Sequence, residues 1–595
     1  MANIDDLFKA SGVSSKRKLE PLRDPNEIYK SVRLSSNRPS SRHAHVEEAG
    51  DRDEDDTEAG PAPPPDDDEN GDLGPAPPPE DDDFGGSGLT AQEEEALDYV
   101  DAVDPANDPY PTKFDSTWLR KAALNFEKRI NKNAELRAKY ENEPKKFIDS
   151  EADLDKEIKN LSILSEHPEL YPEFVNLGSV ASLVSLLTHE NTDIAIDVVE
   201  IINELTDEDV EADEEQWNAL VDALLEADLL GLLVSNFERL DEEQAGDQSG
   251  VYYALSIVEN LCSGKADTTE KVVESDKLLR WLLRRIQVKE PAVSQNKQYA
   301  AEIIAILMQT SSKPRRKLAS LDAVEVLLQL VSSYRKRDPE KGGHEEEYME
   351  NLFEALTSLA DEPEGKAKFV EADGVELCLL MLKEGKRSKA STLRLLDHAV
   401  GGPGAAGVDV CQQLVKDGGL KTLFTLFMKK NMDRITTEHL ISMFGTLLRL
   451  LPADSSERIR TLAKFVEKDY EKTAKLVKIR RDYAARLKSA DEEIRAKQKS
   501  MGADEEDMKG ELFLRRLDAG LFCLQTLDVV LAWLVAEDDG AKETIRKLLA
   551  DQDETFRDIK DTLEEQLDGI EAENTEDKDP WGLKDMLSTL VEFLE

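Results

Sequence analysis

The chain has 595 residues and a formal net charge of −50, with 126 acidic residues against 76 basic ones. Such a surface repels nucleic-acid phosphates and favours basic partners, so the composition argues against direct nucleic-acid binding. The four cysteines are widely spaced, which is typical of reduced core residues in an intracellular protein and excludes a disulfide framework.

The chain begins with a basic, serine-rich tail, residues 1–46, which lacks the apolar core of a secretory signal. Within this tail, Lys16, Arg17 and Lys18 form a short basic cluster of the kind that importins bind. The cluster predicts importin-dependent entry into the nucleus. The alternative interpretation is a solvated basic tail without a receptor.

The next segment, residues 47–110, is acidic and rich in proline. Two near copies of Pro-Ala-Pro-Pro-Pro, each followed by acidic residues, lie fourteen residues apart. Proline runs oppose helix formation and the carboxylates repel one another, so the segment is predicted to be a disordered linker. Whether it is a solvated spacer or binds a basic partner stays open.

Folded structure is expected to begin near Pro111 with a helical cap over residues 111–170. Ser116 can cap a first helix that carries Trp118, Leu119 and Phe126, and a second helix is predicted from Ser150 to about Glu166. The first repeat of a solenoid needs a cover over its apolar end, and these helices would supply it.

Residues 171–455 repeat one helical pattern. The template is Asn191 to Asp207, in which apolar residues recur at steps of three and four, and a shorter apolar helix precedes it. An apolar doublet with a further apolar residue on the same face occurs six times, at Val198-Val199, Ile257-Val258, Ile303-Ile304, Leu352-Phe353, Leu395-Leu396 and Met443-Phe444. The repeat length of 43 to 59 residues favours an all-α, armadillo/HEAT-type right-handed superhelical solenoid with a disordered N-terminal tail.

The C-terminal region, residues 456–595, is expected to hold a long charged helix and the capping helices. Apolar residues from Leu476 to Ile494 form a narrow seam on the predicted helix over residues 461–500, which would pack within the chain or against a partner helix; we expect the former. Residues 512–536 are strongly apolar, but Asp518, Asp528 and the Arg515-Arg516 pair argue against a membrane span.

No catalytic motif is recognisable in the sequence. The glycine-rich run from Gly401 to Gly407 lacks the Gly-Lys-Ser/Thr ending of a phosphate-binding loop, and His398 and His439 read as packing or surface residues. No catalytic triad, metal-ligand spacing or nucleotide fingerprint stands out. The sequence therefore predicts a protein that is not an enzyme and that uses no cofactor and no metal.

The position just after each apolar doublet points away from the buried face. In four of the six repeats that position is acidic, at Glu200, Glu259, Glu354 and Asp397, whereas Ala305 and Gly445 occupy the other two. We call these four carboxylates the acidic row. If the longer helices line the inner surface, the acidic row is a candidate groove for a basic peptide; the alternative is an ordinary solvated helix face.

Many ordered segments, from about residue 112 to beyond 535, resemble the beta-catenin-like protein 1 family. They include Phe126-Glu-Lys-Arg129, Asn236-Phe-Glu-Arg-Leu-Asp241, Ile257-Val-Glu-Asn260, Met349-Glu-Asn-Leu-Phe353 and Leu514-Arg-Arg-Leu-Asp-Ala-Gly-Leu-Phe522. The N-terminal tail and the acidic proline repeats resemble this family only in their general composition, not in matching segments.

The resemblance implies a nuclear armadillo-repeat protein of the spliceosome-associated NineTeen complex. It also implies recognition of basic, localisation-signal-like segments, notably in a Myb-type splicing factor of that complex, and in vertebrates a partnership with the activation-induced deaminase. The chain lacks the regular tryptophan and asparagine ladder of import adaptors, since Trp281 lies in a leading helix and Asn260 has no aligned companions. A transport or chaperone adaptor is the alternative function, although residues 1–46 are too sparsely basic for an importin-beta-binding segment, and a homodimer stays an open alternative.

Overall fold

The computed structural model describes residues 113–262, 266–402, 406–501, 505–573 and 582–594, all of which belong to one compact unit, Gly88–Glu595. Within these ranges the regular structure is helical and contains no strand. The predicted import cluster and the predicted linker lie outside the described residues. The all-α armadillo fold expected from the sequence is confirmed.

Two helices precede the repeats, α1 (Ser116–Lys139) and α2 (Ile148–Asn160), and they pack against each other. The side chain of Asp115, rather than that of Ser116, caps α1 by accepting hydrogen bonds from the N–H groups of Thr117 and Trp118 at 2.9 and 3.1 Å. The second helix is also shorter than expected, because residues 161–166 continue it as a 3₁₀ turn.

Each repeat contains three helices, one more than the sequence pattern indicated. The first-helix layer comprises α3 (Tyr171–Asn176), α6 (Glu214–Glu226), α9 (Ala266–Val273), α12 (Ser312–Ser320), α15 (Pro363–Glu371) and α18 (Val408–Lys416). The second-helix layer comprises α4 (Ser179–Ser185), α7 (Leu229–Arg239), α10 (Asp276–Gln287), α13 (Ala323–Ser332), α16 (Gly374–Glu384) and α19 (Gly419–Phe427). The third-helix layer comprises α5 (Thr192–Leu205), α8 (Ala245–Cys262), α11 (Gln295–Thr310), α14 (His344–Ala360), α17 (Ser388–Val400) and α20 (Arg434–Leu450).

The turn between the first and second helices has a recurring backbone device. In five of the six repeats one residue adopts the left-handed conformation there, either a glycine or an aspartate: Gly178, Asp228, Asp322, Asp373 and Gly418. Glycine has no steric penalty in this region, and aspartate tolerates it better than most residues. This left-handed residue turns the chain sharply, so that in these five repeats the first helix is followed directly by the second.

Consecutive third helices lie side by side along the stack. All six apolar doublets on these helices are buried, as their spacing predicted. Removing these large apolar side chains from water is the main favourable contribution to the stability of the stack. The buried apolar residues form one continuous cluster, which extends from Leu119 of α1 to Leu594 near the end of the described chain.

Six helices follow the last doublet: α21 (Ser456–Met501), α22 (Glu505–Ala519), α23 (Leu521–Glu537), α24 (Asp539–Ala550), α25 (Phe556–Glu573) and α26 (Leu583–Phe593). The long charged helix predicted over residues 461–500 is interrupted, because Glu467 is extended and Lys468, Asp469 and Tyr470 have positive φ angles. Beyond this break, α21 packs within the chain, against α22, α23 and α24, as we expected.

The apolar helix α23 is largely buried, and it extends the third-helix layer beside α20. In the part of the chain that the structure describes, no single helix is long and apolar enough to cross a membrane. Two sharply bent helix pairs, Pro168–Asn176 with Ser179–Thr188 and Gly510–Ala519 with Leu521–Glu537, reach that threshold by length and composition alone.

Candidate peptide-binding face

The acidic row lies on one side of the third-helix layer. Glu200, Glu259, Glu354 and Asp397 occupy equivalent positions on α5, α8, α14 and α17, and all four side chains are partly exposed. At the same position in α20, a side chain on Gly445 would approach the Thr526 methyl of α23 to 2.9 Å, so this position faces the seam between neighbouring third helices.

Three members of the acidic row contact the next third helix along the stack. Glu259 accepts a hydrogen bond from the Tyr299 hydroxyl of α11. Glu354 pairs with the Arg394 guanidinium of α17 at 2.7 Å, and the Asp397 carboxylate lies 2.8 Å from the Nδ1 of His439 on α20. These carboxylates therefore join consecutive repeats in addition to contributing charge to the face.

Glu200 differs from the other three. Among the described residues, no side chain hydrogen-bonds or ion-pairs with its carboxylate. Glu204 lies one turn further along α5, and burial together with the Glu200 charge raises the pKa of Glu204. Burial, followed by the charge of Glu200, likewise raises the pKa of the Tyr253 hydroxyl on α8. Glu200 and Glu204 lie one turn apart on α5, and α5 packs against α8, which carries Tyr253.

Tyrosine rings lie beside this end of the acidic row. The Tyr252 ring is tilted against Tyr299, with ring centroids 5.0 Å apart, and lies edge-on to Tyr253 at 6.0 Å. These rings were not predicted from the sequence as part of the site, although their spacing from the apolar doublets indicates it. Tyr253, Tyr299 and His439 each stand four residues before an apolar doublet, which places them at equivalent positions facing the preceding carboxylate.

A shallow cavity of about 460 Å³ opens at the carboxyl end of α5. Four carboxylates line it, and no cationic side chain does: Glu166, Glu204, Asp207 and Asp209. Glu204 belongs both to this cavity and to the group that includes Glu200 and Tyr253. The cavity thus continues the acidic row around the end of the first long repeat helix.

The two repeat histidines have structural partners. His398 Nδ1 lies 2.9 Å from a carboxylate oxygen of Asp361, and His439 contacts Asp397. Within the described ranges, no group of three or more His, Cys, Asp or Glu side chains is placed to hold a metal ion. The candidate import residues Lys16, Arg17 and Lys18 lie outside the described residues.

These features define an armadillo-type helical-repeat protein whose third helices carry a polar, mainly acidic face. A family model described as catenin-beta-like, Arm-motif containing nuclear matches residues 94–564. The chain is 38% identical over 494 residues to the beta-catenin-like protein 1 homolog of Schizosaccharomyces pombe, covering 83% of this chain and 86% of that one. The chain belongs to the catenin-beta-like family, which confirms the resemblance seen in its sequence.

The chain is also similar to two further proteins. The beta-catenin-like protein 1 of Homo sapiens is 36% identical over 470 residues, which cover 77% of this chain and 82% of the human protein. A solved structure of a designed armadillo repeat protein is similar at a TM-score of 0.33 and 17% sequence identity, covering 45% of this chain and 99% of the designed one.

Proposed function

We propose that this protein is a non-catalytic nuclear scaffold that binds basic, localisation-signal-like segments of partner proteins. Its place would be the spliceosome-associated NineTeen complex in pre-mRNA splicing, with a Myb-type splicing factor of that complex as a partner. The observation that carries the proposal is the row of partly exposed carboxylates on four of the six third helices of a chain with a net charge of −50. The description of the family as nuclear supports the compartment.

A row of carboxylates suits a polybasic segment for an electrostatic reason. Each exposed ion pair contributes only about 0 to 1 kcal/mol, because water and salt screen it. Several carboxylates of one sign on one face nevertheless raise the local concentration of a cationic segment and its association rate. Binding is therefore expected to weaken steeply as the salt concentration rises.

The first test is titration of a fluorescently labelled octapeptide of alternating lysine and arginine at two salt concentrations. Replacing all four members of the acidic row by their amides should weaken binding many-fold. The matched control replaces four carboxylates of the other two layers by amides, at Asp222, Glu226, Glu364 and Glu376, which are exposed. Affinity that does not depend on salt, or equal losses in both variants, would contradict a specific acidic face.

The second test concerns the partners. The tagged protein is purified from nuclear extract, and the co-purifying material is scored for splicing proteins and small nuclear RNAs. The wild type should recover a Myb-type splicing factor, and the fourfold amide variant should recover much less of it. Recovery of diverse basic cargo without splicing components would instead favour a transport or chaperone adaptor.

A further inference from the structure

We propose that Glu200, Glu204 and the ring of Tyr253 form a subsite that holds one arginine or lysine side chain of the basic partner segment. We call these three residues the Tyr-Glu subsite. The inference rests on the proposed function and specifies where on the acidic face a cation is held. The subsite joins the carboxyl-terminal half of α5 to the facing side of α8.

The first argument is uncompensated charge. Glu200 and Glu204 are four residues apart on one helix, a spacing at which like charges repel. They lie in the half of α5 that ends at Leu205, where the helix dipole is negative, and the last turn of α5 contains no basic residue. No described side chain forms an ion pair with either carboxylate. A bound cation would relieve all of these unfavourable interactions together.

The second argument is the contrast with the remainder of the acidic row. Glu259, Glu354 and Asp397 have a tyrosine, an arginine and a histidine of the next third helix as partners. Each of those three carboxylates therefore has a side-chain partner within the chain. At Glu200 the equivalent neighbour is Tyr253, which, like Tyr299, carries no positive charge and which, among the described residues, donates no hydrogen bond to Glu200. A cation from outside the chain is therefore expected to bind more favourably at Glu200 than at the other three members of the acidic row.

The third argument is the chemistry of the partly exposed ring. A guanidinium or ammonium group is attracted to the face of a tyrosine, and the attraction grows when water is displaced. Burial raises the pKa of both Glu204 and Tyr253, so both groups are already partly withdrawn from water. A cation held between the carboxylates and the ring would thus be screened less than one on an open helix face.

The adjacent cavity supplies room for such a ligand. Its volume of about 460 Å³ exceeds that of a single side chain, and Glu204 forms part of its wall. The further carboxylates Asp207 and Asp209 lie beyond Glu204 along the same wall. A polybasic segment could therefore place one cation in the Tyr-Glu subsite and its next basic residue at the cavity.

The experiment compares two isosteric double variants that change the net charge equally. Glu200→Gln/Glu204→Gln neutralises the subsite, whereas Asp222→Asn/Glu226→Gln neutralises an exposed pair with the same spacing on α6. With the Lys/Arg octapeptide as probe, the subsite variant should lose at least about tenfold in affinity, and the control should stay within about twofold. Tyr253→Leu should also weaken binding, whereas Tyr253→Phe, which keeps the ring, should not.

A thermal-unfolding measurement accompanies the titration. Neutralising Glu200 and Glu204 should leave the Tm unchanged or raise it, because repulsion in the free protein is removed. Loss of affinity together with a lowered Tm would make the carboxylates structural and overturn the subsite. Equal affinities of the wild type and the subsite variant would overturn the subsite alone, whereas absence of octapeptide binding by the wild type would overturn the proposed function and the subsite with it.

Discussion

Lys366 shows how single residues link the repeats. Its side chain is 1% exposed, and its ammonium group donates to the backbone carbonyls of Ala360 and His398 at 2.6 Å and of Ala399 at 3.2 Å. It therefore caps the carboxyl ends of two consecutive third helices, α14 and α17. Thr269 and Arg315 occupy the same fourth position in α9 and α12, and each also contacts a carbonyl of the preceding third helix.

Replacing Lys366 with methionine should destabilise the central repeats at neutral pH and alter their response to pH. Burial lowers the pKa of Lys366 to about 8, from a usual value of 10.5. Between these two values the unfolded chain binds more protons than the folded one, so the contribution of Lys366 to stability rises with pH. The gain from pH 7.5 to 9.5 should be on the order of 1 to 2 kcal/mol in the wild type and absent from the variant.

The measurement is urea unfolding of wild type and variant at the two pH values. The buried cysteines also respond to pH in this range, but their contribution cancels between the two proteins. Lys368→Met is the matched control, since Lys368 is exposed on the same helix. A difference between wild type and Lys366→Met that does not change with pH would show that the lysine stays charged when folded.

At the scale of the element, the third helix is the unit that holds the stack together. Each one buries its apolar doublet and packs against the neighbouring third helices, and polar side-chain contacts such as Glu354 with Arg394 join some of these pairs. In a repeat architecture each unit contacts mainly its neighbours, so damage to one helix is expected to stay local.

Phe353→Ala should open the repeat that contains α14 before the other repeats. Phe353 is 3% exposed, and truncating a buried phenylalanine costs about 3 to 5 kcal/mol through lost transfer energy and the cavity left behind. Limited proteolysis should therefore release its first new cuts within α13 to α17. Glu350→Ala, at an exposed position of the same helix, serves as control. A digestion pattern identical to that of the wild type would refute the structural importance assigned to the doublet.

At the scale of the whole molecule, a buried ion pair joins three of the C-terminal helices to one another. Arg480 of α21 contacts Asp528 of α23 at 2.5 Å, and the two side chains are 4% and 0% exposed. Arg480 also donates to the Asp558 carbonyl at 2.9 Å, where α25 begins. One guanidinium thus connects three helices that are far apart in the chain.

Arg480→Met should destabilise the C-terminal helices by roughly 3 to 5 kcal/mol, because it leaves the Asp528 carboxylate buried without its cation. The double variant Arg480→Met/Asp528→Leu removes both charges and should be clearly more stable than the single one. Chemical unfolding of both variants, with proteolysis of residues 471–573 as a local readout, measures the difference. Equal stability of the two variants would contradict a buried charge at Asp528.

The Arg480–Asp528 pair also makes the stability of the C-terminal helices depend on pH. Burial raises the pKa of Asp528 to about 6, although Arg480 opposes the shift. A folded-state pKa above the unfolded one means that the folded chain binds more protons, so stability is lost as pH rises through that window. Arg480→Met should therefore recover part of its lost stability when the pH falls from 7.5 to 5.5, and the double variant should not.

Nuclear entry is expected to depend on the N-terminal tail, residues 1–46. Replacing Lys16, Arg17 and Lys18 with alanine should abolish most nuclear accumulation, because importin grooves bind such side chains by charge and by packing their aliphatic stems. Fluorescence microscopy of the tagged protein measures the effect, with Lys9, Arg23 and Lys30 replaced in the same tail as the matched control. Unchanged accumulation of the first variant would mean that the cluster is not an import signal or that the protein enters bound to a partner.

The local sequence was sufficient to predict the longer helices and which of their faces are buried. The steps of three and four between apolar residues follow from the helical period, so the positions of Val199, Phe353 and Leu396 in the core could be predicted without any contact information. The same pattern was too short to reveal most first helices, since eight or nine residues span little more than two turns. The break at Glu467–Tyr470 could not be predicted, because no glycine or proline marks it.

The chemistry of the candidate site was decided by tertiary structure. The sequence by itself determined that carboxylates recur after the apolar doublets and that the family is one of armadillo repeats. It could not determine that Glu354 meets Arg394 or that Asp397 meets His439, because these partners are 40 and 42 residues apart along the chain. Only the stacking of one third helix on the next brings such residues together, and that stacking leaves Glu200 and Glu204 without a cation. Periodicity is set by the geometry of one helix, whereas charge compensation depends on which helices become neighbours.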